Sequence, residues 1–258
     1  MPKTICIIQA RRQSTRLPDK ILQDLGGKPV LQHVIERCQS IRGVDHTVVA
    51  VPTGSFEDPV EELATRCSAA IFRGDMNDVL SRYWGASQQF SASYVMRVTS
   101  DCPLLDPELC GHLLEKCQRE KADYGGLSGW PHGNECEVFT QALLDKAYKL
   151  ASHSADREHV TLWMKKQKDI KTTSFFPENK ATFRNGNRWV VDYPEDYEFM
   201  KALFSHFPKG SAPSSWQEIL SIVDANPHLR TINQMREDEW VSANREIYRQ
   251  SGQNWEPS

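Results

Sequence analysis

Apolar runs alternate with amphipathic stretches along the first half of the chain. The runs TICIIQA, HTVVAVP, AAIFRG and YVMRVTS are short and rich in apolar and β-branched residues, which predicts four strands. Apolar residues three and four positions apart predict helices in PVLQHVIERCQSI, EDPVEELATRC, DVLSRYWGASQQF and DPELCGHLLEKCQRE. Strands that alternate with helices in this way are typical of a largely parallel sheet with helices on both faces.

The pattern changes after Ala122. Closely spaced Gly, Pro and aromatic residues in ADYGGLSGWPHGNECEVFT predict β-structure and an exposed loop. Its YGGLSGWPHG part is a surface through which the chain could form a homodimer. Further on, QALLDKAYKLA and DREHVTLWMKKQ predict helices and IKTTSFF predicts a strand, while RWVVDYPEDYEFMKALFSHF predicts a short strand, a turn and a helix.

The C-terminal part of the chain has a linker followed by helical patterns. PKGSAPSS, residues 208–215, has the composition of a linker. WQEILSIVDANP and EDEWVSANREIYRQ then predict two helices. We therefore expect one domain over residues 1–207, with residues 208–258 forming a linker and a helical extension packed on that domain.

Composition restricts the class of protein. The 258 residues carry a net charge of -3, which argues against a general nucleic-acid-binding protein. Apolar runs are shorter than a membrane span, and the first residues lead directly into a strand, so we expect neither a membrane protein nor a signal peptide. The seven cysteines are odd in number and include no CxxC pair, which favours reduced, buried thiols in the cytoplasm over a zinc site.

Polar clusters follow three predicted strands, at the ends where open parallel sheets bind ligands. The first, residues 10–20, contains four cations and two small hydroxyl groups: Arg11, Arg12, Arg16, Lys20, Ser14 and Thr15. Such cations, with the N–H groups of a turn, can neutralise a triphosphate, and a solvated charged loop is the alternative. The cluster is neither a P-loop nor a dinucleotide-binding motif, because it lacks their glycines.

The second and third clusters each contain one carboxylate at a strand end, Asp101 in SDCP and Asp192 in VDYP. Two carboxylates can hold a divalent cation against phosphate oxygens. Each alone is equally compatible with a helix N-cap or a turn. Together with the basic cluster they favour a site for a metal–nucleotide complex.

The chain resembles the sugar-acid cytidylyltransferases. In QARRQSTRLPDKIL, the signature positions are Ala10-Arg11, Ser14, Arg16-Leu17-Pro18 and Lys20. RVTSDCPLLDP and RWVVDYPEDYEF resemble the segments that carry the two metal-binding Asp residues of the family, here Asp101 and Asp192. RGDMNDVLSRY, GNECEVF, DREHVT and the tail SWQEILSIVDANPHLRTIN resemble the SpsF-like branch, which makes spore coat polysaccharide, so the resemblance covers nearly the whole chain.

Two positions of the basic cluster depart from the family pattern. Arg12-Gln13 stands where many members have smaller residues, and Asp19 stands where Gly is common, beside Lys20. Because Arg12 does not match the pattern, we expect it to be solvated. Arg11, Arg16 and Lys20 match it, and we expect them to face the ligand.

The resemblance implies a Rossmann-like, GT-A-type three-layer α/β sandwich with a mixed, mostly parallel sheet and a C-terminal helical extension. It implies transfer of CMP from CTP to a nonulosonic or Kdo-like sugar acid, with release of pyrophosphate, for surface polysaccharide or glycan biosynthesis. Mg²⁺ is the implied cofactor, bound by Asp101 and Asp192. The implied catalytic residues are Arg11, Lys20, Asp101 and Asp192. The implied nucleotide-binding residues are Ala10, Arg11, Ser14, Thr15, Arg16, Lys20, Arg73, Asp78, Ser100 and Asp101.

Some of these residues have structural alternatives. Arg73 ends a strand and would face the nucleotide, but a surface ion pair with Asp75 or Asp78 is the alternative. The acceptor-binding candidates come from the irregular middle section and from DREHVT: Asn134, Glu137, Arg157, Glu158 and His159. A cation such as Arg157 would pair with a sugar carboxylate. Pairing at a helix terminus would explain Glu158 equally well, and burial would explain His159.

Three other functions share parts of this pattern. A nucleotidyltransferase that uses a sugar phosphate, or another phosphate or phosphonate acceptor, would need an additional cationic pocket, and the middle section is not notably basic. A GT-A glycosyltransferase usually has a DxD motif, whereas SDCP supplies a single Asp. A non-catalytic nucleotide sensor would not need Lys20, Asp101 and Asp192 together.

Overall fold

The computed structural model describes residues 3–178, 182–184 and 186–250, so residues 251–258 of the expected extension lie outside the described part. The described strands are β1 (Thr4–Gln9), β2 (Asp24–Leu25), β3 (Lys28–Pro29), β4 (His46–Pro52), β5 (Ala70–Gly74), β6 (Tyr94–Thr99), β7 (Tyr124–Leu127), β8 (Glu137–Thr140) and β9 (Thr172–Phe175). The described helices are α1 (Val30–Gln39), α2 (Asp58–Arg66), α3 (Val79–Phe90), α4 (Pro107–Glu120), α5 (Gln141–Leu150), α6 (Ser154–Glu158), α7 (Leu162–Lys165), α8 (Pro194–Phe204), α9 (Trp216–Ala225) and α10 (His228–Gln250). Among these helices, none is long and apolar enough to cross a membrane.

Seven strands form one sheet in the order β5-β4-β1-β6-β8-β7-β9. β1 pairs in parallel with β4 and β6, and β4 pairs in parallel with β5. β8 runs antiparallel to β6 and β7, and β9 is parallel to β7. The prediction of a mixed, mostly parallel sheet is therefore confirmed. The carboxyl ends of β1 and β6 meet at one edge, which brings the polar clusters that follow them together.

The strand β1 is buried on both faces. Cys6 and Ile8 point into a core formed with α1, α2 and α4, whereas Ile5 and Ile7 point into the opposite core with α3 and α5. A parallel strand covered on both faces requires a continuous apolar run, which is what TICIIQA supplies. These two cores and the sheet between them form the predicted three-layer sandwich.

The C-terminal helices share a third apolar core. Phe199 and Leu203 of α8 are buried with Ile219 and Val223 of α9 and with Leu229 of α10. Burial of these side chains supplies the free energy that holds residues 208–250 against the segment that carries Asp192.

The middle section is covered by these helices, which corrects the expectation of an exposed loop. Trp130 and His132 are buried. Trp216 of α9 packs on Trp130 with a ring-centroid distance of 5.1 Å, and Trp240 of α10 packs on His132 at 4.1 Å. Gly and Pro predicted a turn correctly but carry no information about what packs on it. Most of the segment is buried and only Tyr124, Gly126 and Ser128 are half-exposed, so the homodimer that its sequence suggested stays a prediction.

Two predicted elements are interrupted in the structure. The helix predicted over DREHVTLWMKKQ is split into α6 and α7, because Val160 between them has a φ of 61°, in the left-handed region. The strand predicted at the start of RWVVDYPEDYEF is reduced to one bridge between Arg188 and His132. Both interruptions lie beside the cleft described next.

Candidate active site

The basic cluster after β1 is held in place by its own charges. Arg12 donates from Nε to Asp19 Oδ1 at 2.8 Å and from Nη1 to the Phe56 carbonyl at 2.7 Å. The backbone N–H of Arg12 donates to the buried carboxylate of Glu57. The Arg12 side chain is 18% exposed, so the expectation that it is solvated is wrong. It fastens the loop instead of facing bulk water.

Asp19 occupies a backbone position at which glycine is favoured. Its φ is 52°, in the left-handed region that Gly adopts freely and Asp tolerates. Its carboxylate pairs with Arg12. The next residues, Lys20–Leu22, form a short 3-10 helix whose Ile21 is buried. Asp19 therefore fixes the loop without neutralising Lys20, whose ammonium group points elsewhere.

A backbone hydrogen bond joins the segments of the two predicted metal ligands. The N–H of Val191 donates to the carbonyl of Asp101 at 2.8 Å. Asp101 follows β6 and Asp192 precedes α8, so packing brings together residues that are distant in sequence. The buried Asp196 then accepts from the backbone N–H groups of Asp192 at 3.0 Å and Tyr193 at 2.9 Å, which fixes the turn.

Both carboxylates contact the ammonium group of Lys20. Its Nζ lies 2.7 Å from Asp101 Oδ2 and 3.0 Å from Asp192 Oδ1, and the Arg16 guanidinium also contacts Asp192. Burial acts to raise the pKa of Asp101, but the charge and hydrogen bond of Lys20 lower that pKa to about 2. Burial acts to lower the pKa of Lys20, but the two carboxylates raise it. Lys20 therefore stays charged and Asp101 stays ionised at neutral pH.

This donor set fits a magnesium ion that shares its ligands with a nucleotide. Mg²⁺ in nucleotide sites is bound by one or two carboxylates, with phosphate oxygens and water completing the octahedron. Asp101 and Asp192 converge on a single cationic atom, Lys20 Nζ. In residues 3–178, 182–184 and 186–250, no cluster of three or more His, Cys, Asp or Glu side chains could hold a metal. Magnesium would therefore depend on phosphate for part of its shell.

A cavity of about 520 Å³ opens around the basic cluster, and we call it the loop cavity. Eight of the residues expected to bind nucleotide line it: Ala10, Arg11, Ser14, Thr15, Arg16, Lys20, Ser100 and Asp101. Asp192 and Glu158 line it as well. Its walls come from the ends of β1 and β6, so the sheet edge and the loop together form a positively charged pocket.

Arg73 and Asp78 lie outside the loop cavity, which corrects the expectation for both. Arg73 pairs with Asp58 at 2.7 Å and with Glu61, both on α2. It lies one residue before the end of β5, an edge strand of the sheet, and its side chain reaches α2 and not the cleft. Asp78 caps α3 by accepting from the backbone N–H of Ser81 at 2.9 Å.

Arg157 and Asn134 also bind the protein itself, which corrects their assignment to the acceptor pocket. Arg157 pairs with Asp78 at 2.6 Å and donates to the carbonyl of Ala151 at 2.9 Å. Asn134 is fully buried and accepts from the backbone N–H of Asp106 at 2.7 Å. Neither side chain lines the cleft.

A second cavity, of about 450 Å³, adjoins the first, and we call it the α10 cavity because α10 forms one wall. Thr99, Asp101, His159 and Asp192 line both cavities. The two carboxylates therefore mark the boundary between two compartments of one cleft. Burial lowers the pKa of His159, so its imidazole is neutral at neutral pH.

Glu137, an acceptor-binding candidate, lies in the α10 cavity within a network of donors. It accepts from Arg97 at 2.8 Å, Lys165 at 2.8 Å and Thr161 at 3.0 Å, and from the Tyr124 hydroxyl at 2.5 Å. Burial acts to raise the pKa of Glu137, but Lys165 and Arg97 lower it. With this many donors, the carboxylate positions the cations around it.

Sequence reasoning missed most residues that line the α10 cavity. Those with functional side chains are Arg97, Tyr124, Lys165, Arg184, Arg188, Trp240 and Asn244. A signal existed for Arg97, because a cation inside the apolar run YVMRVTS near a strand end needs an explanation. Arg184 and Trp240 had no local signal, since separate segments bring them to the cavity.

Comparison with known proteins agrees with this geometry. A family model described as Cytidylyltransferase matches residues 5–238. The spore coat polysaccharide biosynthesis protein SpsF of Bacillus subtilis is 29% identical over 237 residues, which are 90% of this chain and 98% of that protein. A 3-deoxy-manno-octulosonate cytidylyltransferase of Chloroherpeton thalassium is 32% identical over 107 residues, 42% of this chain and 43% of that protein.

The fold has a close counterpart among solved structures. The structure of a cytidylyltransferase from Leptospira borgpetersenii superposes with a TM-score of 0.81 at 26% identity, covering 89% of this chain and 97% of that one. The family match contains the basic cluster and both aspartates of the cleft. The chain belongs to the cytidylyltransferase family and is a CTP-dependent nucleotidyltransferase.

Proposed function

We propose that this enzyme transfers CMP from CTP to a hydroxyl group of a small sugar acid and releases pyrophosphate. The observation that carries the proposal is the boundary between the two cavities. There, Lys20, Asp101 and Asp192 separate a pocket lined by the basic cluster from a pocket lined by further cations. A nucleotide in one compartment and an acceptor in the other would meet at one phosphorus atom.

The loop cavity would hold the triphosphate. Arg11, Arg16 and Lys20 line it and bring three positive charges. A guanidinium fork can bind two phosphate oxygens, while the ammonium group of Lys20 supplies a compact charge at the boundary. The hydroxyl groups of Ser14 and Thr15 are further donors in the same cavity.

Asp101 and Asp192 would hold Mg²⁺ beside these phosphates. The ion, when bound, supplies Lewis acidity that withdraws charge from the reacting phosphoryl group. Lys20 contacts both carboxylates and provides positive charge at the same place. Arg16 also contacts Asp192, so an ion pair links the loop to one of the proposed metal ligands.

The α10 cavity would hold the acceptor. Arg97, Lys165, Arg184 and Arg188 line it, which suits an anionic molecule. Each of these cations already has a carboxylate partner in the structure. Four carboxylates also line the cavity, so its positive and negative charges are equal in number. A cavity without surplus positive charge suits one carboxylate better than a phosphate group, which carries close to two charges. A relative that is named for a sugar acid supports the same class of acceptor.

The chemistry requires alignment and charge stabilisation. The acceptor hydroxyl gives up its proton to water and its oxygen forms a bond to the α-phosphorus. The bond from that phosphorus to the bridging oxygen breaks, and pyrophosphate leaves with the electron pair. Negative charge grows on the α-phosphoryl oxygens and on pyrophosphate, and Arg11 and Lys20 would stabilise it. His159 and Glu137 line the acceptor side and Glu158 lines the nucleotide side, where they would orient the two substrates.

The cysteines support a reducing compartment. All seven are free thiols and six of them are buried. Burial raises the pKa of Cys117 to about 12, so this thiol stays protonated and unreactive. We propose that the enzyme acts in the cytoplasm.

Pyrophosphate release tests the proposal. Each of the four nucleoside triphosphates is combined with 3-deoxy-manno-octulosonate, with N-acetylneuraminate and with glucose 1-phosphate. We expect release with CTP and a sugar acid, and little release with the other nucleotides or with the sugar phosphate. Preferential use of glucose 1-phosphate would refute the acceptor class, and equal use of all four nucleotides would refute the assignment of the loop cavity to CTP.

A further inference from the structure

The helix α10 supplies one wall of the α10 cavity from beyond the part of the chain shared with the family. Trp240, Asn244, Ile247 and Tyr248 line the cavity. The family match ends at residue 238, two residues before Trp240. The basic cluster and both aspartates lie inside the match.

The helix is anchored directly to the turn that carries Asp192. Asn233 of α10 donates to the Arg188 carbonyl at 2.9 Å and to Asp196 Oδ1 at 3.0 Å. Arg188 in turn makes a buried bidentate ion pair with Asp196, at 2.8 and 2.9 Å. Buried pairs of this kind fix geometry, because loss of one partner leaves an uncompensated charge. The wall therefore has a fixed distance from the reacting centre.

Glu237 of α10 connects the helix to the cations of the cavity. Its carboxylate accepts from His132 Nδ1 at 2.7 Å and lies 3.3 Å from Arg184 Nε and 3.4 Å from Arg188 Nη1. The position of α10 and the positions of these cations are therefore set together.

Arg184 has a donor that a ligand would satisfy. Its side chain is only 9% exposed, and within the described part of the chain its Nη2 atom has no hydrogen-bond partner. The indole ring of Trp240 lies 4.7 Å from its Cζ atom, and both side chains line the cavity. A buried donor without a partner is unfavourable, so a ligand oxygen that accepts a hydrogen bond from it would bind more tightly.

The wall also contains two polar side chains, Asn244 and Tyr248, beside the apolar Ile247. Asn244 lines the cavity and donates from Nδ2 to the Trp240 carbonyl at 3.0 Å, which leaves its Oδ1 as the group that a ligand hydroxyl can bind. The Tyr248 hydroxyl lies 3.2 Å from Lys165 Nζ. Lys165 also forms an ion pair with Glu137, so the α10 wall is linked to the hydrogen-bond network around Glu137 on the opposite side of the cavity. Amide, phenol and guanidinium groups around one space suit a ligand with many hydroxyl oxygens.

We propose that Trp240, Asn244 and Arg184 determine which acceptor the enzyme uses. Trp240 holds Arg184 in position, Arg184 donates to an oxygen of the acceptor, and Asn244 binds a hydroxyl group of its carbon chain. The ligand class is a polyhydroxylated acidic molecule. The inference rests on the proposed function in assigning the α10 cavity to the acceptor.

The test uses Trp240→Ala and Asn244→Ala, with Met235→Ala and Gln234→Ala as matched controls on exposed positions of the same helix. Two quantities are measured for each protein. One is kcat/KM for 3-deoxy-manno-octulosonate, N-acetylneuraminate and glucose 1-phosphate, and the other is the Kd of CTP by calorimetry with Mg²⁺. We expect kcat/KM for the preferred acceptor to fall about 100-fold with Trp240→Ala and about 10-fold with Asn244→Ala, with the Kd of CTP unchanged. The controls should match the parent protein in both quantities.

Each possible result supports or contradicts the proposed role of Trp240, Asn244 and Arg184. Variants that keep the parent kcat/KM for every acceptor, or that lose CTP binding to the same degree as acceptor use, would overturn the inference. If glucose 1-phosphate is the preferred acceptor, the proposed function fails. The inference about Trp240 and Asn244 is then tested by the change in kcat/KM for glucose 1-phosphate between parent and variants. If the parent uses none of the three acceptors, both fail. Should Trp240→Ala not fold, as shown by its thermal unfolding, Trp240→Phe and Asn244→Ala decide the inference.

Discussion

The two cavities of the cleft are assembled in different ways. The loop cavity takes most of its positive charge from one continuous segment, residues 10–20 at the end of β1. The α10 cavity takes its charged side chains from separate elements, among them Arg97 of β6, Glu137 of β8 and Lys165 of α7. If the two cavities bind nucleotide and acceptor as proposed, most cations of the nucleotide side come from one segment, whereas those of the acceptor side are brought together by tertiary packing. The predictions below test that division, from the largest effect to the smallest.

The largest effect is expected at the boundary of the two cavities. Asp101→Asn keeps the shape of the side chain but removes one proposed metal ligand and the closest partner of Lys20. We expect kcat for pyrophosphate release at saturating CTP to fall about 1,000-fold, or roughly 4 kcal/mol.

Asp169→Asn is the matched control, because Asp169 is largely exposed and its ion-pair partner, Lys146, does not line the cleft. It should keep the parent rate. An Asp101→Asn enzyme that releases pyrophosphate at the parent rate would remove Asp101 from the metal site.

The sequence predicts that Arg11 and Arg73 both bind the nucleotide, so these two arginines give a second comparison. Arg11 lines the loop cavity, whereas Arg73 is neutralised by Asp58 and Glu61 outside it. Arg11→Ala should lower kcat/KM for CTP about 100-fold, through lost phosphate binding. Arg73→Ala should change it by less than about twofold. Equal losses, or a larger loss with Arg73→Ala, would contradict the placement of the nucleotide.

The acceptor side should show a pH-dependent stability effect. Burial acts to raise the pKa of Glu237, but His132, Arg184 and Arg188 lower it to about 2, below the value near 4.3 of an unfolded chain. The ionised Glu237 carboxylate therefore stabilises the fold above about pH 4, and its contribution to the free energy of unfolding is lost as the pH falls through 2. Glu237→Gln should lower the free energy of unfolding by about 2 kcal/mol at pH 7 and by about half as much at pH 3.

Urea unfolding at the two pH values measures this difference. Glu239→Gln is the control, because Glu239 is on the same helix but half exposed. A difference between parent and Glu237→Gln that is the same at both pH values would show that Glu237 is not held ionised by its three partners.

The smallest effect concerns the fastening of the loop. Arg12→Ala should lower kcat/KM for CTP about 10-fold, because the loop loses its ion pair with Asp19 and its bond to the Phe56 carbonyl. Asp19→Ala added to Arg12→Ala should cost little more, since both side chains belong to one interaction. Fully additive losses would show that Arg12 and Asp19 act separately.

Much of the fold could be predicted from the sequence. Short apolar runs and period-3.6 patterns are local, so TICIIQA and PVLQHVIERCQSI gave β1 and α1 within two or three residues. The mixed sheet and the family followed from motifs that also are local. The burial of Trp130 and the break at Val160 could not be predicted, because each depends on residues far away in the chain.

The same limit separates the parts of the site. Lys20, Asp101 and Asp192 could be found because each follows or precedes a recognisable element. Arg73 and Arg157 have the right charge, but only the coordinates reveal that α2 and Asp78 already neutralise them. The charge of a residue shows which groups it can bind, but its neighbours in the fold determine which of those groups it contacts.

Binding of CTP to two variants tests the central claim most directly. Calorimetry with Mg²⁺ and no acceptor compares Lys20→Met, at the boundary of the loop cavity, with Asn244→Ala, in the α10 wall. We predict that Lys20→Met weakens the Kd of CTP about 100-fold, through the loss of a buried charge beside the phosphates. Asn244→Ala should leave the Kd within about twofold of the parent value. Parent-like binding by Lys20→Met, or an equal loss in Asn244→Ala, would contradict the division of the cleft into a nucleotide side and an acceptor side.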